Sequence, residues 1–157
     1  MQHRMRTHQL SREEMEQLLE REQMACLATV NADGTPYVTP VHFLYWNGCI
    51  YLHGLPAGQK LENIKANPAV SLSVYRMEEF LLDPKGNPCD TNTKYKSIII
   101  QRRAERLTDP AKKEAVLRSL VRKYTPHLAQ HELPRAMTEG TAVLEIQIGE
   151  MTGKYYP

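Results

Sequence analysis

The sequence predicts a mainly β protein with flanking helices, an α+β chain built on a closed or nearly closed antiparallel barrel of six strands. Asp33-Gly34 and Asn47-Gly48 are turn pairs suited to positive φ, and each separates two apolar, strand-like runs. "AVSLSVY" alternates apolar and polar residues, as a half-buried strand must. Segments of helical period lead the chain, interrupt the strands once and precede the last strand. At 157 residues the chain is read as a single domain, 1–157, with the charged residues 1–10 as a flexible arm.

Ser11 and Glu14 form a capping box, and Met15, Leu18 and Leu19 follow on one helical face to about Arg21. "MACLATV", "YVTPVHFLYW" and "CIYLHG" then make a three-stranded meander. Pro40 cannot donate to a ladder, so its strand is expected to be an edge, to carry a bulge, or to border a ligand. A helix runs from Gly58 to the stop at Asn67-Pro68, and "AVSLSVY" follows as a strand. Met77 to Thr93, with Gly, Pro, Asn and Asp, reads as a long surface loop. "KYKSIIIQRRAERLT" resumes as a long strand. Asp109 as N-cap and Pro110 at the first position open a helix with Val116, Leu117, Leu120, Val121 and Tyr124 on one face. Its Lys112, Lys113, Arg118 and Arg122 face is read as solvated, a shorter helix is expected over Leu128–Arg135, and "TAVLEIQIGEMTG" closes the fold as one strand.

Composition removes several function classes. Twenty basic residues against 18 acidic ones, without a Lys/Arg block, argue against nucleic acid. No run of about 18 apolar residues offers a membrane span. Three cysteines without a C-x-x-C pair suggest neither a disulfide framework nor a thiolate zinc site, so a reduced, cytoplasmic protein is expected. No G-x-S-x-G elbow, closely spaced carboxylate pair or H-E-x-x-H motif is present, and no metal is expected. Redox chemistry would then belong to a bound cofactor.

The stretch "YLHGLPAGQKLENIKANP" takes a strand through a histidine and a Pro/Gly linker into a helix beginning Gly58-Gln59-Lys60. A lysine in a first turn opposes the helix dipole, which an anion bound there would offset; a plainly solvated lysine is the other reading. The amides of Gln59, Lys60 and Leu61 would point to the same spot as such an anion. His53 ends the preceding strand and His42 lies on its neighbour, either as hydrogen-bonded structural residues or as part of a site.

Taken in order, "ADGTPYVTPVHFLYWNGCIYLHGLPAGQKLENIKANPAVSLSVY", "PCDTNTKYKSIIIQRRAERLTDPAKKEAVLRSLVRKYTP" and "EIQIGEMTGK" resemble the FMN-binding split-barrel superfamily of pyridoxamine-phosphate-oxidase-like proteins, nearest its nitroimidazole-resistance branch. The resemblance implies a six-stranded split barrel, a homodimer and FMN in clefts between the subunits. By its alignment Gly58, Gln59, Lys60 and Leu61 hold the FMN phosphate, and His53 and Gly54 lie against the cofactor. Thr39, Pro40, Val41, His42 and Phe43 border the flavin ring, while Ser97, flanked by Tyr95, reaches the flavin of the partner chain. It implies an oxidoreductase taking electrons from NAD(P)H to a small acceptor such as a nitro-aromatic, with His53 catalytic; a flavin- or haem-binding protein without catalysis is the alternative. The arginine near Thr39 and the terminal Arg-x-His clamp of the vitamin-oxidising relatives are missing, and Arg102 stands where the branch commonly has glycine.

Overall fold

The structure, a computed structural model, describes residues 4–157. A short helix α1 (Arg4–Thr7) is followed by α2 (Arg12–Arg21), which carries the expected capping box: Ser11 Oγ accepts from the Glu14 amide, and the Glu14 carboxylate accepts from the Ser11 amide. Strands β1 (Met24–Val30), β2 (Pro36–Trp46) and β3 (Cys49–Gly54) form the meander, with Asn47 at φ 50° and Gly48 at φ 71° making the second tight turn. Helix α3 (Gln59–Ala66) leads to β4 (Ala69–Leu81), β5 (Asn92–Arg106), α4 (Pro110–Tyr124), α5 (Arg135–Gly140), β6 (Ala142–Gln147) and β7 (Thr152–Tyr156). Pairing runs β4-β1-β2-β3-β6-β5, and β4 also pairs with β5, so six antiparallel strands close a ring with β7 added along β5.

Two apolar clusters result. Leu19, Leu27, Phe43, Ile50, Leu52, Leu72, Ile98, Ile100 and Ile146 fill the barrel beneath α2. A smaller cluster of Leu44, Tyr51, Val143, Val116, Leu117 and Leu120 seats α4 against the outer side of β3 and β6. Among the described residues no helix is long and apolar enough to cross a membrane.

Three expectations about the elements need correction. Met77–Thr93 is loop only in its middle: β4 and β5 stay paired out to Leu81 opposite Asn92, past an irregularity between Met77 and Glu79, and the excursion proper is 82–91. The short helix expected over Leu128–Arg135 is a 3₁₀ turn at Pro126–Leu128, and the true helix, α5, starts where that range ends. The closing strand is two strands. Ala104 opposes Ile146 and Ile99 opposes Thr152, so five steps along β5 answer six on the closing segment, the signature of a bulge. Arg102 occupies the break, its Nη2 donating to the Glu150 carbonyl at 2.7 Å. A Cβ on Gly149 would lie 2.9 Å from that same nitrogen, so glycine there admits the guanidinium.

Residues 1–3 of the expected arm lie outside the described residues; from His8 on, the segment is docked. The Tyr155 amide donates to the His8 carbonyl, Gln9 bridges Lys154, and the Leu10 amide donates to the Gly153 carbonyl while the Leu10 side chain is buried. On the α4 polar face two lysines are likewise engaged, Lys112 Nζ lying 2.5 Å from Glu145 and Lys113 Nζ donating to the Glu139 carbonyl, whereas Arg118 pairs with Glu114 of its own helix and Arg122 is exposed as expected.

Candidate functional site

The site follows from how β2 divides its partners. Pro36–His42 pairs with β1, ending at His42 opposite Met24, whereas Phe43–Trp46 pairs with β3, beginning at Phe43 opposite Leu52. Continuing the second register would set His42 against His53. Instead β3 stays with β6 through Gly54, opposite Ala142, and turns away into α3. Thr39–His42 therefore has no strand on its β3 side, as Pro40 requires of an ordinary ladder. Thr39 Oγ1 is buried there and has no hydrogen-bond partner. A buried hydroxyl without a partner costs roughly 1–3 kcal/mol, so its presence points to a group that completes it.

At the far side of the gap, α3 begins at Gly58, whose φ of 143° favours glycine. No side chain caps this helix, and the amides of Gln59 and Lys60 have no acceptor among the described residues. The Leu61 amide is spent on the Gly58 carbonyl at 2.9 Å, so it is not available to a ligand. Lys60 folds back over the end of β3, its Nζ 3.7 Å from where a Cβ on Gly54 would stand. A polar network anchors the helix start: Asn63 Nδ2 donates to Thr29 Oγ1 and to Asn31, and Gln59 Nε2 donates to Asn63.

His53 lies within the electrostatic reach of both His42 and Lys60. Burial first, then those two neighbours, lowers its pKa, so the imidazole is uncharged at neutral pH. Its ring then carries one N–H and one acceptor nitrogen.

Phe43 differs from its neighbours. Its side chain is fully buried in the barrel. Past the last β1 pair, the end of α4 takes over its backbone: the Phe43 amide donates to Tyr124 Oη at 3.0 Å. Tyr124 Oη lies 2.7 Å from the Phe43 carbonyl and 2.8 Å from the Gln23 carbonyl, which share its one proton. Lys123 Nζ donates to the carbonyls of Glu22 (2.7 Å), Phe43 (3.2 Å) and Leu19 (3.3 Å) and stands 4.3 Å from the Phe43 ring centroid. Desolvation pushes the Lys123 pKa down to about 8 against the opposing pull of Glu22 and Glu20. Phe43 is thus a fixed hinge between the two halves of β2, not an open backbone contact.

The structure brings His42, His53, Gly54 and Lys60 together where β2 and β3 part, with Gly58 and Gln59 at the start of α3 beside Lys60; Thr39, Pro40 and Val41 continue along the open side of β2, with the Val41 side chain in the barrel core. Tyr95 and Ser97 do not join them within the chain. Ser97 opposes Tyr75 and Lys154, whereas the α3 end of the sheet meets β5 at Arg103; about six residues of strand, roughly 20 Å, separate the two. Tyr124 and Lys123 were not identified as site residues from sequence, because their partners lie 80 or more positions away.

Residues 11–155 match the family described as pyridoxamine 5'-phosphate oxidase. Solved structures of the same fold include a candidate 5-nitroimidazole antibiotic resistance protein from Bacteroides thetaiotaomicron, with TM-score 0.81 and 22% identity over 94% of this chain and 86% of that one. An FAD and heme binding protein from Mycobacterium smegmatis has TM-score 0.85 and 21% identity over 94% and 73%. An FAD-binding protein from Mesorhizobium loti has TM-score 0.69 and 25% identity over 95% and 97%. No curated protein matches the sequence.

Proposed function

This chain belongs to the pyridoxamine 5'-phosphate oxidase family, and from that premise we propose that it is a cytoplasmic FMN-dependent oxidoreductase. It takes electrons from NAD(P)H to a small acceptor such as a nitroimidazole or other nitro-aromatic. The observation that carries the reading is the open side of Thr39–His42 together with an uncapped helix start, a lysine beside it, where β3 turns away from β2.

The residues suit the group. A phosphate at the start of α3 meets the Gln59 and Lys60 amides, the positive end of the helix and the Lys60 ammonium. The backbone of Thr39–His42, open on its β3 side, would hold the flavin ring. FMN, when bound, supplies two-electron hydride chemistry; the protein supplies position and electrostatics. His53 touches this group and, uncharged at neutral pH, can hold or hand on a proton through its ring nitrogens.

A homodimer completes the site in this reading. Met24, Val38, Tyr75 and Ile99 are exposed apolar residues of β1, β2, β4 and β5, and the register sets Pro40, Cys26, Ser73 and Ile99 in one row. A second copy on this sheet would bring the partner's Tyr95 and Ser97 to the gap that the chain's own copies do not reach.

The test is an absorbance spectrum of purified protein after FMN loading, followed by NADH or NADPH and then a nitroimidazole. Flavin bands that bleach and return are expected. A colourless protein without FMN affinity overturns the reading. Bands that never bleach leave a flavin-binding module without this activity, and a Soret band assigns haem instead.

A further inference from the structure

Behind His42 and His53 a cavity of about 330 Å³ lies between α4, the Leu133–Thr138 segment and the ends of β2 and β3. That volume is at the small end for a small-molecule site. Leu117, Leu120, Val121, Leu133 and Met137 make most of its wall, and no Asp, Glu, Lys or Arg lines it. Its hydroxyls are already committed to the backbone: Thr125 to the Val121 carbonyl, Thr138 to the Pro134 carbonyl, Thr141 to the Met137 carbonyl, and Tyr124 to Phe43 and Gln23. Among the described residues, the imidazoles of His42 and His53 are the lining side chains left with a hydrogen-bond donor to offer, since each of those hydroxyls has given its one proton to a carbonyl.

We propose that this cavity binds an uncharged, planar, one- or two-ring aromatic compound whose hydrogen-bond-accepting oxygens point at His42 and His53 and whose remaining edge is apolar. A charge at that apolar end would be buried without a partner and is excluded by its desolvation cost. A ring compound with polar groups at one end leaves neither its own oxygens nor the histidines unserved. The proposal rests on the redox reading only for calling this compound the electron acceptor. Its binding is a property of the protein wall. Phosphorylated pyridines are disfavoured, since no cation lines the chamber.

The outer wall allows a clean test, because Met137 lines the cavity yet is 68% exposed, so enlarging it does not disturb the core. Nitrobenzene and 4-nitrobenzoate share a ring and a nitro group and differ by a carboxylate at the opposite end. Binding to the protein as purified is read by equilibrium dialysis and by the Met137 methyl signal in NMR. Nitrobenzene is expected to bind and to shift that methyl, and 4-nitrobenzoate to bind at least tenfold more weakly. Met137→Trp should fill the chamber and cost nitrobenzene at least tenfold in affinity with the melting temperature unchanged. His53→Leu should weaken it as well. Equal affinity for the two compounds, or an unchanged affinity in Met137→Trp, overturns the proposal. 1,4-Naphthoquinone tests whether a carbonyl serves as well as a nitro group; binding that survives Met137→Trp places it elsewhere and counts against the cavity. Flavin loading, followed separately by absorbance, keeps the two readings apart. A protein that takes FMN but not nitrobenzene defeats the cavity alone, and the reverse result defeats the redox reading alone.

Discussion

The two halves of β2 are made of similar residues and have opposite fates. Each half has a strand on one side only: Pro36–His42 pairs with β1, and Phe43–Trp46 pairs with β3. Beyond Phe43 the free side is covered by protein, because Tyr124 and Lys123 reach across from α4 to its amide and carbonyl. Before Phe43 the free side is left open, with Thr39 Oγ1 unsatisfied and Val38 58% exposed. A ladder that ends against other parts of the chain makes core. One that ends against nothing makes a binding edge. Strand propensity is the same in both; what differs is which distant side chains arrive.

The comparison breaks most severely at the hinge. Phe43→Ala should cost about 3–5 kcal/mol of unfolding free energy in a denaturant titration, since it empties a fully buried ring site. On the open side the expected loss is in ligand, not fold: Lys60→Ala should weaken FMN binding by about 1.5–3 kcal/mol in a fluorescence titration, the range of a charged hydrogen bond. Tyr124→Phe should cost about 1–2 kcal/mol of stability by leaving the Phe43 amide without an acceptor, and an unchanged denaturation midpoint would show that the amide finds another.

Lys123 sharpens the contrast through pH. Its folded pKa of about 8 lies below the ordinary 10.5, so between those values the unfolded chain binds more protons and wild-type stability rises with pH. Below pH 8 the lysine is charged in both states and the burial cost is felt in full. Lys123→Met should remove that rise, which the difference between the two stability-against-pH curves measures. Smallest of all is Val38→Ala on the outward face, expected within about 0.5 kcal/mol for the isolated chain. A midpoint that falls more at high than at low protein concentration would instead reveal a second copy seated there.

Much of this architecture is legible locally. Ser11 with Glu14, Asp109 with Pro110, and Asn47-Gly48 each state a boundary through backbone chemistry within four residues, and each boundary stands. Pro40 announces that one side of its strand lacks an ordinary partner, and the β2 registers bear that out. The hairpin extension is hidden because Glu78, Glu79 and the Pro and Gly residues of the loop beyond carry a loop's composition, while what holds 77–81 straight comes from across the hairpin, the pairing with β5 and Lys94 beside both glutamates. The break in the closing strand depends on Arg102, which is distant in sequence from Gly149 and gives no signal near it. The same holds at the candidate site. Gly58 and Lys60 are readable from helix electrostatics, whereas the hold of Lys123 and Tyr124 on Phe43 spans 80 residues and exists only once the chain is folded.

The clasp of His8–Leu10 on Gly153–Tyr155 has a consequence for biosynthesis. Gly153 lies where Met15 and Leu10 pack so closely that a Cβ would come within 2.7 Å of the Met15 sulfur. Helix α2 therefore waits for the β7 segment, made long after it, before the Leu10–Met15 end of its apolar face is sealed. A chain interrupted before Thr152 would leave Leu10 and Met15 uncovered, a natural target for chaperones and proteases.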